Sequence, residues 1–273
     1  MLRLSTFLAL FIALSSFITG DDDSAVYQPV SYHSFSKGEK LSYKVNFGIF
    51  TIGNAEMMIN DKFYKVNNRK CYKVDVYGKT SGVVDWVARV DDHWGAYVDS
   101  AALLPHIAYR IIKEGNYRKN EMVRFDHVHD VLETKTINKK TGEWKEPILY
   151  GAPNNIREML SGYMYLRTMD FDSMKVGDEF TVSGFFQDMF YDLDVRYRGK
   201  EVIKTKAGKF RAIKLEPIMP KNDLFDGEDS ILAWLSDDEN RIPLKVEAEM
   251  FIGHAGIELS GYENVKNKVN KIR

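Results

Sequence analysis

A turn-and-strand signature returns in this chain at an almost constant distance, and no other feature restricts the fold as much. Gly38-Glu39-Lys40-Leu41-Ser42-Tyr43 recurs 139 residues later as Gly177-Asp178-Glu179-Phe180-Thr181-Val182. At the same offset Lys70-Cys71-Tyr72-Lys73-Val74-Asp75-Val76 meets Lys209-Phe210-Arg211-Ala212-Ile213-Lys214-Leu215, with apolar residues alternating in both. Tyr97-Val98-Asp99-Ser100 followed by Leu103-Leu104-Pro105 matches Leu235-Ser236-Asp237-Asp238 followed by Arg241-Ile242-Pro243, now 138 residues apart. An offset that does not drift over three stations indicates one duplicated unit.

The physics of each station is β. Leu41, Tyr43, Val45 and Phe47 alternate with Ser42, Lys44 and Asn46, the period-two pattern of a half-buried antiparallel strand. Lys206-Ala207-Gly208-Lys209 and Ser236-Asp237-Asp238-Glu239-Asn240 read as short hairpin turns, the first with Gly208 free to take positive φ. One stretch is convincingly helical: after Asn154 or Asn155 as cap, Ile156, Met159, Leu160, Tyr163 and Met164 recur at helical spacing as far as Arg167. A shorter helical turn is expected at 83–87. The expected fold is therefore all-β and predominantly antiparallel, with internally duplicated meanders forming a strongly bent sheet or open barrel and one helical connector. The division is a first β half at 35–137, a connector with helix at 138–171 and a second β half at 172–265, flanked by an N-terminal linker at 21–34 and a tail at 266–273.

Arg3 precedes the apolar run Leu4 to Leu14, which loosens into Ser15 to Gly20 and stops at Asp21-Asp22-Asp23. That is the pattern of a cleaved secretory signal over 1–20. No Cys lies near the cut, so the acceptor thiol of an acylated lipoprotein is missing and a periplasmic or extracellular location is expected. Cys71, the single cysteine of 273 residues, cannot form an intrachain disulfide and reads as a small structural residue on a strand.

With these stations in view, the chain resembles the exported bacterial family known as domain of unknown function 3108. The resemblance rests on Phe35-Ser36-Lys37-Gly38-Glu39-Lys40-Leu41-Ser42-Tyr43, Gly53-Asn54-Ala55-Glu56-Met57, Gly78-Lys79-Thr80-Ser81-Gly82, Glu201 to Phe210 with its Ala207-Gly208-Lys209-Phe210 hairpin, and Trp234-Leu235-Ser236-Asp237-Asp238 leading to Ile242-Pro243. It implies an all-β envelope protein and brings no catalytic residues with it. The half-barrel pattern also invites comparison with lipoprotein-carrier folds of the periplasm, as an analogy of fold alone.

A formal charge of −1, from 38 Lys and Arg against 39 Asp and Glu, offers no basic excess for nucleic acid. His127 and His129 flank Val128 on what reads as a strand, so both rings would share one solvent-facing side. As a metal pair they lack further ligands that the sequence places nearby among His33, His93, His106 and His254. Asp91-Asp92 and Asp237-Asp238 read as turn carboxylates bonding local amides rather than as acid-base pairs. No nucleophile elbow, phosphate loop, zinc-helix motif or Cys pair is present. A hydrolase or metal enzyme would need clustered polar residues that the sequence does not group, so neither an enzyme nor a cofactor is expected.

One site reading survives this screen. Phe185 and Phe186 follow Ser183-Gly184 and precede Phe190, where the other half has Phe47, Ile49 and Phe50 around Gly48. If these six residues end strands at an open rim, they line a mouth for an acyl chain, a hydrophobic peptide or an envelope partner; if the strands bend at the glycines, they are core. The leading expectation is an exported β protein that binds an apolar small molecule or envelope protein, with membrane-surface contact compatible. The alternative is a structural or assembly protein of the envelope, without a ligand pocket, holding partners through exposed strand edges.

Overall fold

The computed structural model describes residues 25–82, 84–87, 89–218, 227, 230–251 and 253–272. The expected signal segment lies outside them. The first half runs β1 (Lys40–Phe47), β2 (Phe50–Ile59), β3 (Tyr64–Val66), β4 (Arg69–Thr80), the short helix α1 (Val84–Val87), β5 (Asp91–Asp99), β6 (Pro105–Glu114), β7 (Tyr117–Asp126), β8 (Val131–Thr136) and β9 (Ile148–Gly151). Helix α2 (Met159–Leu166) leads into β10 (Glu179–Phe186), β11 (Met189–Thr205), β12 (Gly208–Pro217), β13 (Ile231–Ser236), β14 (Pro243–Met250), β15 (Gly253–Glu263) and β16 (Lys271–Ile272).

These strands make one continuous antiparallel sheet in the order β10-β11-β12-β13-β14-β15-β1-β2-β4-β5-β6-β7-β8-β9, with β3 beside β4 and β16 beside β12. Each half is a meander, and the last long strand joins them by pairing with the first: Tyr43 lies opposite Leu259 and Val45 opposite Ile257. Sheet edges β9 and β10 do not pair with each other. Instead the chain leaving β9 runs along β10, where Phe185 N donates to Arg157 O at 2.8 Å and Arg157 N to Ser183 O at 3.2 Å. Tyr150 of β9 packs on Phe185 and Phe190 at ring separations of 5.4 and 6.4 Å, so the open edges meet at an aromatic seam.

The duplication holds in strand order and in register. Phe47 faces Phe50 as Phe186 faces Met189, and Val74 faces Ala96 as Ile213 faces Leu235. The repeat also reaches the segments ahead of each first strand. A second core of Phe171, Ile213, Leu215 and Leu235, with Phe180 against it, matches Tyr32, Val74, Val76, Ala96 and Leu41 of the large core. Each half therefore folds over its own preceding segment, 25–37 in the first and 166–176 in the second. The stretch 25–34 is accordingly no linker: Tyr27 and Ser34 are buried and Tyr32 stacks on Phe35 at 4.7 Å. The tail is docked as well, since β16 pairs with β12.

The helix is shorter than its periodicity predicts. Asn155 takes a left-handed φ of 59° and Arg157 is engaged with β10, so α2 starts after Glu158. Glu158 caps it, accepting from Leu160 N at 2.8 Å and Ser161 N at 2.6 Å while Ser161 Oγ accepts from Glu158 N, a capping box with the residue types exchanged. Ile156, Leu160 and Met164 are buried and Tyr163 packs against the core as expected, but Met159 in the first turn is exposed.

Arg167, directly after α2, is fully buried and satisfied. Its guanidinium grips Glu39 through Nη1–Oε1 at 2.5 Å and Nη2–Oε2 at 2.9 Å, and donates to Ser34 O and Asn240 O at 3.0 and 2.9 Å. One side chain thus ties the N-terminal segment, the entry to β1, the connector and the β13–β14 turn.

Candidate functional site

In an antiparallel meander, successive connections alternate between two ends of the strands. At one end lie the connections β2–β4, β5–β6, β7–β8, β11–β12 and β13–β14. Among the described residues, none of these carries an exposed large apolar side chain, and Ala102, Leu103 and Leu104 in the β5–β6 turn are buried. At the other end every described connection displays one: Ile49 and Phe50 between β1 and β2, Trp86 between β4 and β5, Tyr117 after the β6–β7 turn, Trp144 between β8 and β9, Met189 and Phe190 at the β10–β11 turn, and Phe251 between β14 and β15. Ile49 and Trp86 are each 93% exposed, which no packing requirement of the fold explains.

The six residues expected to form a mouth do sit at this end, but they do not converge on one cavity. Phe47 leans on the Gly253 turn, where a Cβ would lie 2.9 Å from its ring, and Ile49 and Phe50 project outward. Phe185 is buried in the seam with Tyr150 and Phe190. Phe186 stacks at 5.8 Å on Trp94, and the Arg110 guanidinium lies 4.6 Å from its ring centre while bonding Glu121 at 2.8 Å. The reason is topological, because β1 lies mid-sheet between β15 and β2 whereas β10 is an edge. A cavity of about 30 Å³, near the size of one water, remains between Trp94, Arg110, Glu121, Phe185 and Phe186. It cannot hold an acyl chain. Trp86, Tyr117, Trp144 and Phe251 escaped the sequence reading, since a single apolar residue in a turn has no periodicity to announce it.

The other candidates resolve into structural roles. His127 and His129 are not on a strand but in the β7–β8 turn, with no shared face. The buried His127 donates from Nε2 to Pro105 O at 2.8 Å, and the exposed His129 pairs with Asp126. Among the described residues no group of three or more His, Cys, Asp or Glu could hold a metal ion. Asp91 and Asp92 open β5 rather than a turn; Asp91 pairs with Lys79 and Asp92 accepts from Lys113 N. Asp238 serves its turn by accepting from Asn240 N, Ser236 Oγ and Asn270 N. Cys71 is buried on β4, and burial pushes its thiol up to about 12, with the charge of Asp99 adding, so no reactive thiolate forms near neutral pH.

Burial pushes the His127 imidazole down to about 4; the Pro105 carbonyl opposes this, and His106 and Arg157 add to it. Between that value and about 6.5, the ordinary value for His, the unfolded chain binds the extra proton, so stability falls as pH drops through this window. The expected size is on the order of 3 kcal/mol. Urea denaturation from pH 7 to 4 should show this decline, and a His127→Gln variant should flatten it.

A family model described as "Protein of unknown function (DUF3108)" matches residues 42–260. A β-barrel-like protein from Brucella abortus, of domain of unknown function DUF1849, superposes with a TM-score of 0.53 at 10% identity, covering 85% of this chain and 99% of its own. That likeness is one of fold. A hypothetical protein, CT021, from Chlamydia trachomatis gives a TM-score of 0.37 at 9% identity, covering 87% and 92%. A Bacteroides fragilis protein provisionally described as exported, with a YmcC-like fold, gives 0.33 at 11% identity, covering 86% and 100%. No curated protein sequence matches the chain significantly. With the family model spanning most of its length and the duplicated meander in place, this chain belongs to the DUF3108 family of proteins of unknown function.

Proposed function

We propose that the chain is an exported, non-enzymatic protein of the cell envelope that binds an apolar partner surface non-covalently through the rim of hairpin tips. The observation that carries this reading is the asymmetry between the two ends: each described strand-to-strand connection at one end exposes a large apolar side chain, whereas at the other only Val176, in the turn ahead of β10, does. The cavity beside Phe185 and Phe186 is too small for a ligand, and a larger one of about 420 Å³ is lined in good part by the polar and charged groups of Asn67, Arg124, Asp126, His129 and Glu133 rather than by an apolar wall. Docking by strand addition is disfavoured because the Arg157 segment already occupies part of the β10 edge.

The test is a titration with an environment-sensitive apolar dye, anilinonaphthalene sulfonate, against the wild type and the Ile49→Ser/Phe50→Ser variant. Both side chains are largely in solvent, so the melting temperature should stay within a few degrees. Dye binding should fall several-fold. Dye binding that is unchanged in the folded variant would remove the rim from consideration.

A further inference from the structure

Charge at the rim is divided between the two halves. The first-half connections at this end, residues 81–90, 113–119 and 137–147, hold seven Lys and Arg against four Asp and Glu. The described second-half connections, 187–192 and 249–253, hold Asp188, Asp192 and Glu249 and no Lys or Arg. The cations sit among the exposed aromatics. Lys139 Nζ lies 4.4 Å from the ring centre of Tyr117, Arg118 follows that tyrosine, Lys145 follows Trp144, and Arg89 lies three residues after Trp86. Arg89, Arg118, Lys139 and Lys145 are exposed.

We propose that this rim docks on the surface of an anionic phospholipid bilayer, with the apolar tips entering the boundary between headgroups and acyl chains and the first-half cations meeting lipid phosphates. This rests on the rim reading above and names its partner. The distribution of the apolar groups favours lipid over protein. One to three such side chains stand on each of six separate connections, with glycine and charged residues between them, whereas a protein interface needs a contiguous, tightly packed centre. A bilayer has no fixed relief and accepts separate insertions. Trp86, Trp144 and Tyr117 carry the ring type with an apolar body and a polar handle that settles at a membrane interface. Long Lys and Arg stems reach phosphate while their methylenes stay against apolar surface. No helix among the described residues is long and apolar enough to cross a membrane.

The test is co-sedimentation of the full chain with vesicles of phosphatidylcholine alone and of phosphatidylcholine mixed with phosphatidylglycerol. Binding to the mixed vesicles should be about tenfold tighter or more and should weaken with salt. Ile49→Asp/Trp86→Asp should loosen it at least about tenfold, because a charge would have to enter the apolar boundary. Of the four tryptophans, Trp86 and Trp144 are exposed while Trp234 is buried and Trp94 lies under Phe186. Acyl-brominated lipids should therefore quench the wild type strongly and the Trp86→Phe/Trp144→Phe variant little. Failure to bind either vesicle, equal binding to both, or binding unmoved by the Asp variant would each overturn the proposal. So would rim-dependent self-association in place of vesicle binding. Dye binding at the rim without vesicle binding would overturn this inference and leave the rim reading intact; loss of both would end both.

Discussion

Replacing Arg167 by Met should cost roughly 3 to 5 kcal/mol, the range expected when one partner of a buried ion pair is removed and its counter-charge is left behind. The abandoned group is Glu39, itself buried, whose two oxygens both face the guanidinium. Ser34 O and Asn240 O would lose their donor in the same change. Glu39→Gln/Arg167→Met should recover a substantial part of the loss, because no bare carboxylate then remains. Urea denaturation of the two single variants and the double variant measures the coupling. If Arg167→Met stays within about 1 kcal/mol of wild type, water must reach Glu39 and solvate its carboxylate once the guanidinium is gone. A loss that the double variant does not reduce would place the cost in lost packing against Phe35 and Tyr163.

Gly95→Val should destabilise the fold by about 2 to 5 kcal/mol, combining overpacking with a weakened buried hydrogen-bond cluster. The Tyr109 ring lies across Gly95 so closely that a Cβ there would stand 2.3 Å from its Cζ. That position lets the hydroxyl donate to Asp75 Oδ1 at 2.6 Å. Asp75 is buried and also accepts from His93 Nε2 at 2.8 Å and Asn60 Nδ2 at 2.9 Å, with Lys73 at 3.2 Å. Burial alone would raise its carboxyl, yet the bonds from Tyr109, His93 and Lys73 hold it below the usual carboxylate range. Its stabilising contribution is complete above about pH 4, the ordinary Asp value, and is lost as the pH falls through the lowered folded value. A Gly95→Val variant should therefore lose stability at pH 7 and show a weaker acid dependence. In a Tyr109→Ala background the same substitution should cost much less, because the obstructing ring is gone. An equal cost in both backgrounds would locate the problem in the backbone of β5 rather than in the ring.

How much of this could be read from the chain depends on the range of each interaction. The alternation of Leu41, Tyr43 and Val45 and the turn at Gly208 are local, and they appear as β1 and as the β11–β12 hairpin with Gly208 at φ 138°. The constant offset carried the duplication, which extends further than the three stations, to Phe171 of the second core at the place equivalent to Tyr32 of the first. Helix α2 was legible in type but not in its start, because the pairing of Arg157 with β10 overrides the helical spacing of Ile156. His127 was misread because an His-Val-His triplet in a turn looks the same as one on a strand.

The sequence by itself determined where strands, hairpins and the connector lie, since these follow from side-chain periodicity over a few residues and from turn chemistry that needs no distant partner. Only the tertiary structure decided that β15 closes on β1 across more than two hundred residues, that Arg167 finds Glu39, and that Phe47 and Phe185 lie apart. It also decided the apolar rim. Each exposed side chain there is a single turn residue with no local pattern, and they become one surface only because an antiparallel sheet sends alternate connections to the same end.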